Sequence, residues 1–225
     1  MKLLFRLALL MVLGMTVMSM TKQKKTRIVF FGDSITQAGV GPTGYITKIQ
    51  EMLEKNGKSA QYELIGAGIG GNKIYDLYLR MEDDVLAKNP DVVVIWVGVN
   101  DVWHKASFGT GTDQDKFEKF YGAVIKKLQT KNIKVVVCTP STIGEKTDFS
   151  NQQDGDLNQY ANIIRKVAKD YNCPVIDLRK AFLDYNLKNN PENKESGILT
   201  VDRVHLNDKG NIFVAQKMMD VLMSK

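Results

Sequence analysis

Five short apolar runs recur along the chain: Ile28 to Phe31, Tyr62 to Ile65, Val92 to Val97, Ile133 to Val137 and Pro174 to Ile176. Several are continuous and rich in Val and Ile, without polar positions alternating between them, the pattern of strands covered on both faces. They predict parallel strands. Between them apolar residues return every three or four positions, which places each set on one face of a helix. The sets are Ile74, Leu77, Tyr78, Met81 and Val85; Phe117, Phe120, Tyr121, Val124 and Leu128; Leu157, Tyr160, Ala161, Ile164, Val167 and Ala168; and Ile212, Ala215, Met219 and Leu222. Strands alternating with helices of this length predict an α/β sandwich with right-handed crossovers.

In such a sheet the parallel strands all end on one edge, and ligands bind in the crevice beyond it. Ser34 follows the first strand, Gly70-Gly71 the second and Gly98-Val99-Asn100-Asp101 the third, so three chemically suggestive segments meet there. Two polar stretches, Gly144 to Gly155 and Leu187 to Gly197, follow the fourth and fifth strands and are expected to overhang the same place and set substrate preference.

The opening of the chain has a different character. Lys2 and Arg6 precede an apolar stretch from Leu7 to Met18, and the small residue Ser19 follows. Charged, apolar and small-residue sections in that order read as an export signal over residues 1–20, too short in its apolar part to span a bilayer comfortably. No cysteine stands near its end to take a lipid. The expectation is a periplasmic or extracellular protein once the signal is cleaved. Residues 21–225 then form one domain, a size that suits a single core at 44% hydrophobic and 25% charged residues. Without Lys2 and Arg6 the formal charge falls from +6 to +4. What remains basic is mostly interleaved with acids, apart from Lys22, Lys24, Lys25 and Arg27, which read as a solvated tether; nothing resembles a nucleic-acid footprint. Two cysteines, Cys138 and Cys173, sit at the edges of apolar runs and read as buried free thiols, because two cysteines make no disulfide framework in a domain this large.

The chemistry lies in two remote segments, Gly32-Asp33-Ser34-Ile35-Thr36 and Asp202-Arg203-Val204-His205. A serine alone is a common helix cap. With an imidazole and a carboxylate available, Ser34 reads as a nucleophile at the positive end of the first helix, His205 as its base, and Asp202 as the group that fixes the imidazole tautomer. His104, the other histidine, has no comparable partner and reads as structural, although it follows the third strand closely enough to touch substrate. Acyl transfer also needs donors aimed at a developing oxyanion, for which the backbone amides of Ser34 and Gly71 and the side-chain amide of Asn100 are candidates. A competing signal is Gly66-Ala67-Gly68-Ile69-Gly70-Gly71, which fits a dinucleotide-binding pattern. It occupies the second strand-to-helix turn, and the next strand ends Trp96-Val97-Gly98-Val99, with no acid for a ribose. There is no G-x-S-x-G elbow and no phosphate loop, and two histidines with two cysteines are too few for a metal site.

Taken together these residues resemble the SGNH hydrolases, also called GDSL-type esterases or lipases, over essentially all the chain after the signal. Gly32-Asp33-Ser34-Ile35 is similar to their nucleophile block, Gly71 to their second-block glycine, Gly98-Val99-Asn100-Asp101 to their G-x-N-D block, and Asp202 to His205 to their D-x-x-H block. The resemblance implies a three-layer α/β/α sandwich on a flavodoxin-like, five-stranded parallel sheet in order 2-1-3-4-5. It also implies a Ser34, Asp202 and His205 triad, an oxyanion hole from Ser34, Gly71 and Asn100, and no cofactor or metal. Two departures fall in the second block, where Gly70 replaces a frequent serine and Lys73 a frequent threonine. Members act on acetylated sugars, lysophospholipids and other small esters or thioesters. Export and polar overhanging loops favour an esterase that removes acetyl groups from a small-molecule or glycan ester. A lysophospholipase or thioesterase of the same mechanism, and a non-catalytic glycan-binding module, are the alternatives.

Overall fold

Each of the five apolar runs becomes a strand in the computed structural model, which describes residues 24–224; the export signal read over residues 1–20, and Lys22, lie outside the described residues. The strands are β1 (Thr26–Gly32), β2 (Tyr62–Gly68), β3 (Val92–Trp96), β4 (Lys134–Cys138) and β5 (Val175–Ile176). All pair in parallel, in the order β2-β1-β3-β4-β5. The register sets Gly32 opposite Gly68 on one side and Trp96 on the other, so the first three strands end level and their following segments leave the sheet together.

The helices are α1 (Ser34–Ala38), α2 (Tyr45–Lys55), α3 (Ile74–Asp84), α4 (Val99–Phe108), α5 (Gln114–Gln129), α6 (Asp154–Asp170), α7 (Leu178–Asn189) and α8 (Asp208–Leu222). Helices α2 and α8 pack together against one face of the sheet, and α3, α5 and α6 pack in a row against the other. The central strands are buried on both faces, with Val93, Val94, Ile95 and Trp96 of β3 all inaccessible, which accounts for their unbroken apolar sequence. Each such side chain contributes roughly 1.5–3 kcal/mol by leaving water. Beneath the first strand-to-helix turn, Tyr45 lies edge-on to Phe30 and Trp96 at ring distances of 5.8 and 5.4 Å, and its hydroxyl donates to Thr36 Oγ1 at 3.0 Å. The turn therefore stands on an aromatic floor in which the Tyr45 hydroxyl is satisfied.

Four of these helices, α1, α2, α4 and α7, are absent from the predicted sets, and for α4 and α7 the reason lies in their burial. The first turn of α4 buries Val99, Asn100, Asp101 and Val102 consecutively, so no one-sided stripe marks it. On α7 the buried face includes Arg179 and Asn186 beside Leu178 and Phe182, and polar residues on the inward side erase the period. As a result, the polar stretch expected over Leu187 to Gly197 begins as helix, and its loop starts only at Asn190. The basic cluster after the signal is also more than a tether. Arg27 belongs to β1 and pairs with Glu63 of β2 at 3.0 Å, and Lys24 pairs with Asp91 at 2.9 Å. Cys138 and Cys173 are both free and buried; burial pushes the Cys138 thiol far above the usual range and that of Cys173 up to about 11.

Candidate active site

Gly32 ends β1 where a larger residue could not stand, because a Cβ there would overlap Thr36 Oγ1 and the Trp96 carbonyl. The chain turns at Asp33, whose buried carboxyl caps α1 by accepting the Ile35 amide at 3.0 Å. Ser34 is thus the first helical residue and not the cap, and its Oγ lies 2.8 Å from His205 Nε2. Helix α1 is a single turn of five residues, so its dipole is far weaker than that of the longer helix, α2, which begins only at Tyr45. Burial pushes the Asp33 carboxyl up to about 7, against the Ile35 hydrogen bond and the charge of His205.

The second segment closes on itself. Asp202 Oδ2 lies 2.6 Å from His205 Nδ1, and Oδ1 accepts the amides of His205 at 2.7 Å and Val204 at 3.1 Å. Arg203 adopts φ = +83° to allow this tight return. Partial burial raises the Asp202 carboxyl, but the hydrogen bonds from the His205 ring and the two amides outweigh it and hold the group below the ordinary carboxylate range. A continuous line of two hydrogen bonds therefore runs from Ser34 through His205 to a charged Asp202.

The other two sequence candidates belong to the segments that follow β2 and β3. The loop after β2 abuts Ser34: a Cβ at Gly70 would sit 3.9 Å from Ser34 Cβ, and the Gly70 amide donates to Gln37 Oε1 at 2.8 Å. Gly71 takes φ = +74°, which a side chain would disfavour. Its carbonyl accepts Lys73 Nζ at 2.9 Å, so the lysine that departs from the family pattern is buried and fastens this turn. Asn100, also buried, donates through Nδ2 to the Asn72 carbonyl at 3.1 Å, and that amide keeps a second hydrogen. Asp101 joins the same two segments, accepting the Ile74 amide at 3.2 Å, and its carboxyl is pushed up to about 7 by burial. His104 is half-buried over Gly71, with Cε1 3.6 Å from where a Cβ on that glycine would lie. Burial and the Lys73 charge lower its basicity. The glycines of the dinucleotide-like pattern serve packing instead: a Cβ at Gly68 would overlap the Gln37 amide, and one at Gly66 the Val40 side chain.

Two groups around the site, Arg80 and Trp103, carried no readable signal in the sequence. Arg80, which with Asp84 looks like a surface i,i+4 pair, reaches inward to the Gly32 carbonyl at 2.8 Å, the Ala67 carbonyl at 3.0 Å and Asn72 Oδ1 at 2.6 Å, over the Phe31 ring. Trp103 stands edge-on to His205 at 6.4 Å between ring centres, next to His104, and makes an aromatic wall. The two polar loops expected over the site are tied to each other, Asn193 accepting the Thr147 amide at 2.7 Å and donating to Asp148 at 2.6 Å. Among the described residues no group of His, Cys, Asp or Glu is arranged to hold a metal ion, and no helix is long and apolar enough to cross a membrane.

Residues 30–211 match the model of the GDSL-like lipase/acylhydrolase family. A crystal structure of an acetyl xylan esterase, AlAXEase, shares 75% sequence identity, covers 86% of this chain and 98% of its own, and superposes with a TM-score of 0.85. The acetylxylan esterase of Geobacillus stearothermophilus is 27% identical over 211 residues, 86% of this chain and 92% of that protein. An uncharacterized lipoprotein of Bacillus subtilis, YqeF, is 24% identical over 213 residues, 86% of this chain and 88% of that protein. On the span and strength of these matches, the chain belongs to the GDSL-like lipase/acylhydrolase family.

Proposed function

We propose that this serine ester hydrolase removes acetyl groups from a carbohydrate, with Ser34, His205 and Asp202 as its nucleophile, base and orienting carboxylate. The observation that carries the reading is the pair of hydrogen bonds, 2.8 and 2.6 Å, that links the three side chains. Ser34 Oγ attacks the acetyl carbonyl carbon as its proton passes to His205 Nε2, and Asp202 stabilises the imidazolium that forms. The negative charge moves to the carbonyl oxygen, which the amides of Ser34 and Gly71 and the free Asn100 Nδ2–H stabilise; one such donor is worth about 3 kcal/mol of barrier. Collapse breaks the C–O bond to the sugar, whose oxygen takes the proton from His205. Water then attacks the acetyl-serine, giving a proton to His205, and collapse breaks the bond to Ser34 Oγ, which takes that proton back as acetic acid leaves.

The substrate class is supported by the 75% identical acetyl xylan esterase and by the Geobacillus stearothermophilus relative. Half-exposed aromatics, Trp103 and His104, beside a nucleophile under polar loops suit a sugar ring better than an acyl chain, which favours an apolar funnel. Export is part of the same reading and rests on the residue pattern of positions 1–20.

Acetylated xylo-oligosaccharides, lysophospholipids and long-chain acyl esters offered to wild type and Ser34→Ala test the proposal. The expected result is acetate release from the oligosaccharides by wild type, none by Ser34→Ala, and fluorophosphonate labelling of wild type alone. Preference for the lipid or long-chain esters would point to the lysophospholipase alternative. Glycan binding without turnover or labelling would leave only the binding module.

A further inference from the structure

Glu145 lies in the loop after β4, has no solvent exposure, and takes no part in the line from Ser34 to Asp202. Its carboxylate is satisfied by three backbone amides in a row: Oε2 accepts Ile198 at 2.8 Å, and Oε1 accepts Leu199 at 2.7 Å and Thr200 at 3.1 Å. Its own backbone is engaged as well, the amide donating to the Glu195 carbonyl at 2.9 Å and the carbonyl accepting Asn190 Nδ2 at 2.9 Å. Burying a carboxylate is expensive unless its lone pairs are filled, and a loop has no intrinsic need of one.

The three amides lead directly into the segment that bears Asp202 and His205. Thr200 bridges antiparallel to Leu206, the Val201 amide donates to the His205 carbonyl at 2.8 Å, and the Asn207 amide to the Leu199 carbonyl at 3.0 Å. The residue before Glu145 holds the far side of the turn, the Gly144 amide donating to the Arg203 carbonyl at 2.9 Å. Residues 144 and 145 therefore grip both the base and the tip of the Asp202–His205 turn. We infer that Glu145 is a positioning residue, which sets the Asp202–His205 pair at its distance from Ser34 by holding the amides of residues 198–200. The inference rests on the Ser34–His205–Asp202 reading above.

Glu145→Gln tests it. The amide replaces one acceptor oxygen by a donor, which faces a backbone N–H and cannot bond to it. Wild type and variant are compared on p-nitrophenyl acetate across pH 5–9. The expected result is a kcat reduced at least tenfold, with KM within about twofold. The acidic limb of kcat/KM also moves to lower pH, because a displaced Asp202 stabilises the imidazolium less. The charged or titratable groups facing His205 are Asp202 and Asp33, with Arg203 on the turn paired to Glu195 of the preceding loop, and the substitution alters none of them chemically. A merely structural role would lower thermal stability and leave the limb in place, and that outcome, like an unchanged kcat, would overturn the inference. If Glu145→Gln does not fold, Asn190→Ala decides. It releases the Glu145 carbonyl and should move the limb in the same direction by less, whereas a profile superimposable on wild type would overturn the inference. Absence of turnover by wild type would instead remove the esterase reading and this inference with it.

Discussion

Asp33 and Ile35 close a hydrogen bond of 3.0 Å around Ser34, so the capping of α1 is carried by a neighbour and the serine hydroxyl is left for His205. The arrangement separates two tasks that a single serine at a helix start would have to share. Asp33→Ala should reduce stability by about 0.5–2 kcal/mol through loss of the cap, and lower kcat as the turn loosens. Asp33→Asn keeps an acceptor for the Ile35 amide and should retain most of both. Thermal melting and steady-state kinetics on the two variants check this, and equal losses in both would contradict it.

Asp33 and Asp101 each have a carboxyl pushed up to about 7 by burial. The folded state therefore holds protons that the unfolded chain, titrating near 3.8, releases earlier. Their contribution to stability is complete below about pH 4 and is lost as pH rises through 7. Melting temperature should decline across that window, and Asp101→Asn, which keeps an oxygen for the Ile74 amide, should flatten the decline. A wild-type melting temperature that rises steadily from pH 4 to 7 would contradict the assignment.

Arg80 joins the ends of β1 and β2 to Asn72 through one guanidinium. Because the contacts need donors in a planar fork, lysine cannot replace it. Arg80→Lys and Arg80→Ala should both lower kcat for acetyl esters and reduce stability by roughly 1.5–3 kcal/mol, the range for hydrogen bonds involving a charged group. Kinetics and denaturant unfolding on the pair provide the check, full rescue by lysine being the contrary result.

The parts of the molecule that were legible in the chain are those whose burial is one-sided or complete. The Val-rich runs stand out because β1, β3 and β4 are covered on both faces, and α3, α5 and α6 because each buries a single stripe; on α8 the stripe read through Ile212, Ala215, Met219 and Leu222 is out of phase, since Ile212 is exposed and the buried face runs through Val214, Ala215 and Met218. Helices α4 and α7 escaped because their inward sides carry Asn100, Asp101, Arg179 and Asn186. The same limit applies at the site. Ser34, Asp202, His205, Gly71 and Asn100 stand in spaced motifs. The Glu145 carboxylate bonds only to backbone amides, which every residue supplies, so no partner side chain marks it in the sequence, and Arg80 is disguised by its i,i+4 partner Asp84 while its inward bonds go to two backbone carbonyls and Asn72.

Strand β5 pairs with β4 through Val175 and Ile176 alone. Everything downstream of it up to α8, including the turn that bears the acid and the imidazole, hangs from the hem of the sheet by a few knots, the bonds of residues 144 and 145 and the buried Leu178, Phe182, Leu199 and Val204, instead of being woven into it as a strand. Such a flank unravels at a lower temperature than the valine-lined interior. On warming, the enzyme should go silent while most of its fabric is still intact, and cooling need only retie the hem to restore it.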